Sequence, residues 1–408
     1  MKRRDFLKSA SILGSTFLGS NYLLANTLSS SDPDHFLVFL TMEGGWDTTL
    51  CMDPWDSETR LPEEDLFVEY RHDELLNWGG RLFGPAMKPL KGHAADITAL
   101  NGMFMNSVDN GHPALLSYIM RGKADGNSAD MPVAIANAMP ADDFGVLHNG
   151  GVYKHDLRTE SIGAESLRGQ SQSTRLNGIL EYTGQLNPGG SPLYQSLESF
   201  SVAAPRRAKV SEIYNSIESD NSDMKVIASA FAAQGAQFAQ YNIRLDGNLD
   251  THSDHVRNHM NLLKAGFTQV SDIFSLFKSV PFMGGTLFDR TTFVVCSEFS
   301  RTAALNGGQG KDHNPMANSV LLAGYGIQKG KKIGAVKTVT RAQSATGESY
   351  QIALPFDYQS GQVVRDPSVN TLIFPQNMWR TISELFPVNW RRMHGLDRGE
   401  KLVTGLLS

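Results

Sequence analysis

The chain of 408 residues has only two cysteines, Cys51 and Cys296, and no Cys-x-x-Cys pair. That argues against thiolate zinc sites, iron–sulfur clusters and covalently attached haem. The two thiols could pair in an oxidising compartment. Cys296, however, ends the apolar run Thr292–Cys296, which reads as a buried strand carrying a structural thiol. Charge is also sparse: 19% of residues are charged, the net charge is −5, and no strong Lys/Arg cluster follows the first eight residues. A nucleic-acid-binding surface needs the opposite balance. Long apolar runs are lacking too. The longest, Ser9 to Ala25, covers about 17 residues interspersed with Gly and Ser, which is marginal for a spanning helix. A hydrophobic content of 41% describes an ordinary globular chain.

What is present begins at the N-terminus. Met1-Lys2-Arg3-Arg4-Asp5-Phe6-Leu7-Lys8 carries two consecutive arginines, a polar residue and then Phe-Leu-Lys, ahead of the uncharged run. This is the pattern of a twin-arginine export signal over residues 1–26, with cleavage near Ala25-Asn26; uncut, it would remain as an N-terminal anchor. The expectation is a periplasmic or extracellular protein that engages the twin-arginine translocase and crosses the membrane already folded. Such cargo often acquires a metal or cofactor in the cytoplasm.

The remaining residues, about 380, suffice for one large α/β domain. Three nearly continuous apolar runs of strand length stand out: His35–Met42, Arg290–Cys296 and Asn318–Gly324. Buried strands covered on both faces read this way, because the alternation of one-sided strands disappears. Asp96–Leu100 and Gly145–Leu147 are weaker candidates. Between them the pattern predicts helical segments within 191–215 and helices over 224–241, 254–277 and 376–386. Val256, Met260, Leu263, Phe267 and Val270 form one stripe of the 254–277 helix. Alternating strands and helices imply a single domain over 35–408, with a central, mostly parallel sheet flanked by helices on both faces. The stretch 140–190, rich in Gly, Ser and Asn, reads as a loop-rich insertion. Ligand chemistry in such folds gathers beyond the carboxyl ends of the strands, which selects Glu43–Asp47 and Glu298–Thr302.

Four polar clusters carry candidate chemistry. Glu43-Gly44-Gly45-Trp46-Asp47-Thr48-Thr49 follows the first strand, and Asp47 is either a ligand or a helix cap. Asp250-Thr251-His252-Ser253-Asp254-His255, with His259, places three of the chain's 11 histidines and two carboxylates within ten residues. Asp and His offer the oxygen and nitrogen donors that zinc and manganese accept; the alternative is a solvated first turn of the following helix. In Ser297-Glu298-Phe299-Ser300-Arg301-Thr302, Glu298 and Arg301 are either ligand and anion clamp or a structural ion pair. The Gly-rich stretch Gly307–Pro315 presents Asp312-His313, a positioned imidazole or a solvated loop histidine. His112, in Gly111-His112-Pro113 at a helix start, is either an anion contact or a surface histidine.

Taken in order, Leu40–Asp47, Asp250–His252, Ser297–Thr302 and Asp312–His313 resemble the landmarks of the domain of unknown function 1501 family. Ser300 stands where that family usually has glycine. The family in turn looks like a branch of the alkaline phosphatase and sulfatase superfamily, which implies an alkaline-phosphatase-like fold with one or two divalent metals, zinc or manganese. On that resemblance Asp250, His252 and His313 form one metal site, with His255 competing for the place of His252. Glu298 and Asp47 (or Glu43) form a second site, and Arg301 clamps a non-bridging oxygen. The superfamily's Asp-His-Gly is replaced here by Glu298-Phe299-Ser300. Its hydroxyl or thiol nucleophile is missing from Asp109–Pro113. The resemblance therefore implies hydrolysis of a small phosphate or sulfate ester through metal-bound water or through Thr48 or Thr49. Its alternative is a catalytically inactive envelope protein that keeps the fold and binds or assembles with a partner protein.

Overall fold

The computed structural model describes residues 33–55, 68–105, 111–123, 128–139, 146–149, 159–161, 209–340, 343, 349–366, 371–393, 396 and 400–408. Residues 1–26, expected as an export signal, and most of the 140–190 stretch lie outside the described residues. The main sheet contains β1 (Phe36–Thr41), β2 (Ile97–Met103), β3 (Val146–His148), β4 (Thr159–Ser161), β5 (Phe238–Asn242), β6 (Thr291–Cys296), β7 (Asn318–Gly324) and β8 (Lys332–Ile333). Their order is β8-β2-β7-β6-β1-β5-β3-β4. Only β7 runs against its neighbours, so the sheet is mostly parallel, as expected. No helix lies between β6 and β7 to make the crossover that a parallel pairing requires, so β7 returns antiparallel.

The described helices are α1 (His112–Arg121), α2 (Met131–Ala138), α3 (Ser222–Ala232), α4 (His255–Ser279) and α5 (Pro375–Ser383), and residues 209–216 are also helical. They cover both faces. Successive strand residues point to opposite sides: Phe36 stacks on Phe231 of α3, whereas Phe39 meets Trp379 of α5 edge-on. Every residue of β1 and β6 is buried, so their apolar runs need no alternation. Burying each large side chain there contributes roughly 1.5–3 kcal/mol. Cys51 and Cys296 are free, buried thiols, and burial raises both well above the usual range.

The helix expected over 224–241 is really helix plus strand. It stops at Ala232; Gln234 adopts a left-handed backbone at φ 56°, and Phe238-Ala239-Gln240-Tyr241-Asn242 then pairs with β1. The alanines carried the helical pattern past its end, and burial decided for the strand. The sequence reading also missed α2, an almost wholly apolar helix with no polar face to give it a period.

The topology determines where polar loops can meet. β1, β5 and β6 are adjacent and parallel, and β2 points the same way because two antiparallel pairings separate it from β6. Their carboxyl ends therefore release 42–47, 243–254, 297–302 and the approach to α1 at one edge. β7 begins at that same edge.

Candidate metal centre

At this edge His112, Asp250, His252 and His313 come together, with one donor atom from each within 4.8 Å of the others. His252 Nε2 lies 2.9 Å from His313 Nε2 and 3.1 Å from Asp250 Oδ1. His313 Nε2 and His112 Nε2 are 3.4 and 3.2 Å from that same oxygen. Three imidazole nitrogens thus surround one carboxylate oxygen. Local turns place them: His112 opens α1 behind Gly111, and His313 pairs with Arg301 in a two-residue ribbon. Gly44, at φ 110°, has the Asn248 side-chain oxygen and the backbone nitrogens of Leu249 and Asp250 where a side chain would stand, so only glycine allows that approach.

The outer nitrogens are oriented by carboxylates. His252 Nδ1 donates to Asp312 Oδ1 at 2.6 Å and His112 Nδ1 donates to Glu298 Oε1 at 2.7 Å. Each bond directs the Nε2 lone pair inward, the arrangement that outer carboxylates impose on metal-ligating histidines. Glu298 also accepts from Gly44 N at 2.9 Å and from Ser297 Oγ at 3.2 Å. Its hydrogen bond raises the His112 pKa against the opposing effect of burial. Burial alone would raise the Asp250 carboxyl, yet the hydrogen bond and charge of Arg301 hold it at about 2.

These residues fit a divalent cation. Tetrahedral ligands at zinc distances of roughly 2.0–2.1 Å stand about 3.3 Å apart; four of the donor pairs here are 2.9 to 3.4 Å apart, and all lie within 4.8 Å. With Nδ1 directed to Asp312, His252 turns its Nε2 towards His313 Nε2, 2.9 Å away. His112 Nε2 is a buried atom without a hydrogen-bond partner, although Asp250 Oδ1 is close by. A cation satisfies both. The side chains of His112, Asp250 and His252 are 34%, 29% and 45% exposed, so the cluster opens to solvent.

The structure relocates four of the residues assigned from sequence. Asp47 is fully buried away from the cluster: Lys311 Nζ donates to its Oδ2 at 2.6 Å, and His255 Nε2 donates there at 3.1 Å. Its Oδ1 caps the following turn through Thr49 N. An ammonium, not a cluster of ligands, thus faces the Asp47 carboxylate. Burial opposes ionisation of Asp47, but Lys311 and His255 hold it well below the usual carboxylate range, while burial and the Asp47 charge push nearby Glu69 up to about 7. Thr48 is buried and donates to Gln351, so its hydroxyl is no nucleophile at the cluster. Glu298 orients His112 and is not part of the convergent set. Arg301 is fully buried, donating from Nε to Gly45 O, from Nη1 to Lys311 O, and from Nη2 to Gly44 O and Asp250 Oδ1. With four of its five donors engaged, it cannot clamp a substrate anion. It positions Asp250 and the Gly44-Gly45 turn instead.

His112, assigned as an anion contact, joins the ligand set. No local spacing could show this, because α1 reaches the edge only through the antiparallel return of β7. Glu43 is exposed at the rim and accepts from Asn242 Nδ2 at 2.8 Å. Partial burial and the charge of Glu298 raise its pKa.

Fold and centre together define an α/β protein with a candidate His₃Asp cation site at the carboxyl edge of its sheet. A family model described as a protein of unknown function (DUF1501) matches residues 203–351. That span contains Asp250, His252, Glu298, Arg301, Asp312 and His313 but not His112. Among solved structures, the crystal structure of the lipoteichoic acid synthase LtaP from Listeria monocytogenes is similar at 9% identity and a TM-score of 0.37. The similarity covers 95% of this chain and 79% of that one. No curated protein matches the chain.

Proposed function

We propose that this chain is an exported hydrolase of phosphate or sulfate esters that depends on a divalent metal, zinc or manganese. The observation that carries the reading is the convergence of three Nε2 atoms and Asp250 Oδ1, two of the imidazoles being aimed by carboxylates. His112, His252, His313 and Asp250 would hold the ion. Three imidazoles and one carboxylate suit zinc better than manganese. A bound ion supplies Lewis acidity toward an ester oxygen and acidifies water. Asp312 and Glu298 keep the imidazoles in the ligating tautomer, and Arg301 keeps Asp250 ionised and in place. Glu43, which feels the charges of Glu298 and His112, is assigned to accept a proton at the rim. The exposure of the cluster supports access by a small substrate. The ester class rests on the resemblance carried by the polar landmarks, and export rests on Arg3-Arg4 and the run behind them. The twin-arginine translocase is thus the partner during export, and the periplasm or exterior the destination.

One observation favours the alternative, an inactive envelope protein that keeps the metal and binds a partner protein. Four protein ligands already complete a tetrahedral shell, which is the habit of structural sites. Elemental analysis of the purified protein, with phosphate- and sulfate-ester turnover measured before and after chelation, separates the two. The hydrolase reading expects about one ion per chain and chelator-sensitive turnover. Metal without turnover of either ester class supports the alternative, and absence of metal defeats the hydrolase.

A further inference from the structure

Beneath the metal centre, Asp47, His255, Thr251 and His259 form a closed loop of hydrogen bonds. The backbone N–H of Asp47 donates to His259 Nε2 at 2.9 Å. A neutral His259 must then carry its proton on Nδ1, which meets Thr251 Oγ1 at 2.9 Å. At the opposite end, the Asp47 carboxylate can only accept, so His255 donates from Nε2 at 3.1 Å. His255 Nδ1 is therefore a lone pair and accepts the Thr251 hydroxyl at 2.7 Å. Each proton points the same way round, and the ring begins and ends on Asp47. Burial keeps both imidazoles neutral by lowering their pKa values, in His255 against the pull of Asp47. The rings stack with centroids 4.3 Å apart.

Thr251 is the residue between two of the proposed ligands, Asp250 and His252. Its carbonyl accepts from Lys311 N at 3.0 Å, and Lys311 Nζ closes on Asp47. The Lys311 carbonyl accepts from Arg301, which in turn holds Asp250. The ring thus ties the 250–252 turn, which has no regular secondary structure of its own, to the segment that leads into the His313 ribbon.

We infer that Thr251 is the positioning residue of the metal centre: its hydroxyl, passing one proton in and one out between His259 and His255, sets the spacing of Asp250 and His252. The inference rests on the proposed metal site. Only threonine or serine can accept one imidazole proton while donating to the other imidazole across so short a gap.

The test compares Thr251→Val, which removes the hydroxyl at constant shape, with Thr251→Ser, which restores it. His255→Gln keeps a donor for Asp47 but moves the acceptor for Thr251 away from the imidazole Nδ1 position. Zinc affinity is read by competition, the cobalt(II) absorption spectrum reports ligand geometry, and thermal unfolding of the metal-free proteins reports folding. Thr251→Val and His255→Gln should bind zinc roughly 10–100-fold more weakly with an altered cobalt spectrum, the scale seen when outer-shell partners of ligands are removed. Thr251→Ser should match the parent protein. Equal affinity and an unchanged cobalt spectrum in Thr251→Val would overturn the inference. So would unfolding of all three variants, which would assign the ring to stability alone. A parent protein that binds no zinc or cobalt would instead defeat the proposed function on which the inference stands.

Discussion

At the scale of single residues, the contrast between Asp47 and Asp250 decides what this edge of the sheet can do. Both are carboxylates beside basic groups. Asp47 is sealed against Lys311 with no exposure, whereas Asp250 keeps one side open among three imidazoles. A buried pair contributes little beyond a well-packed apolar one, but breaking it strands a charge. Lys311→Met should therefore destabilise the protein by about 3–5 kcal/mol, and adding Asp47→Asn should recover a large part of that loss. Urea unfolding of the single and double variants measures it; a Lys311→Met protein as stable as its parent would show that Asp47 has another neutralising partner. The sequence announced the chemistry of these residues but not their assignment. Asp250, His252 and His313 were grouped from residue type and the family resemblance, and the fold brings the three together. Asp47, Glu298 and Arg301 have equally suggestive types, yet their roles depend on which side chain reaches them from more than 200 positions away in the case of Asp47 and Lys311.

At the scale of elements, the buried strands were the most legible part of the chain. Continuous apolar runs mark the strands at 36–41, 291–296 and 318–324 almost to the residue, because burial on both faces leaves no alternative pattern. The direction of β7 was not legible, since an apolar run has no polarity, and neither was the break between α3 and β5 within an alanine-rich stretch. The loops that form the centre are held by close approach. Gly310 packs so tightly on His252 that an added Cβ would overlap the His252 carbonyl. Gly310→Ala should push the 250–252 turn away, costing about 1–3 kcal/mol as overpacking does and weakening zinc binding. Zinc titration of folded Gly310→Ala checks this, and parent-like affinity would mean that His252 does not ligate.

At the scale of the whole molecule, the sheet acts as a jig. Four strand ends and one strand start converge on a single edge, so residues spread from 112 to 313 become neighbours. Among the described residues no helix is long and apolar enough to cross a membrane. The proposal of export rests on Arg3-Arg4 and the run behind them. A protein exported after folding can leave with its ion already bound, which makes the occupant of the centre the central question. The most direct measurement is the X-ray absorption spectrum of the metal in protein purified after export, compared with His252→Ala. The account predicts a first shell of nitrogen and oxygen only, at roughly 2.0–2.1 Å if the ion is zinc, with imidazole scattering that is lost in His252→Ala. Sulfur in the first shell, or a spectrum that His252→Ala leaves unchanged, would contradict it.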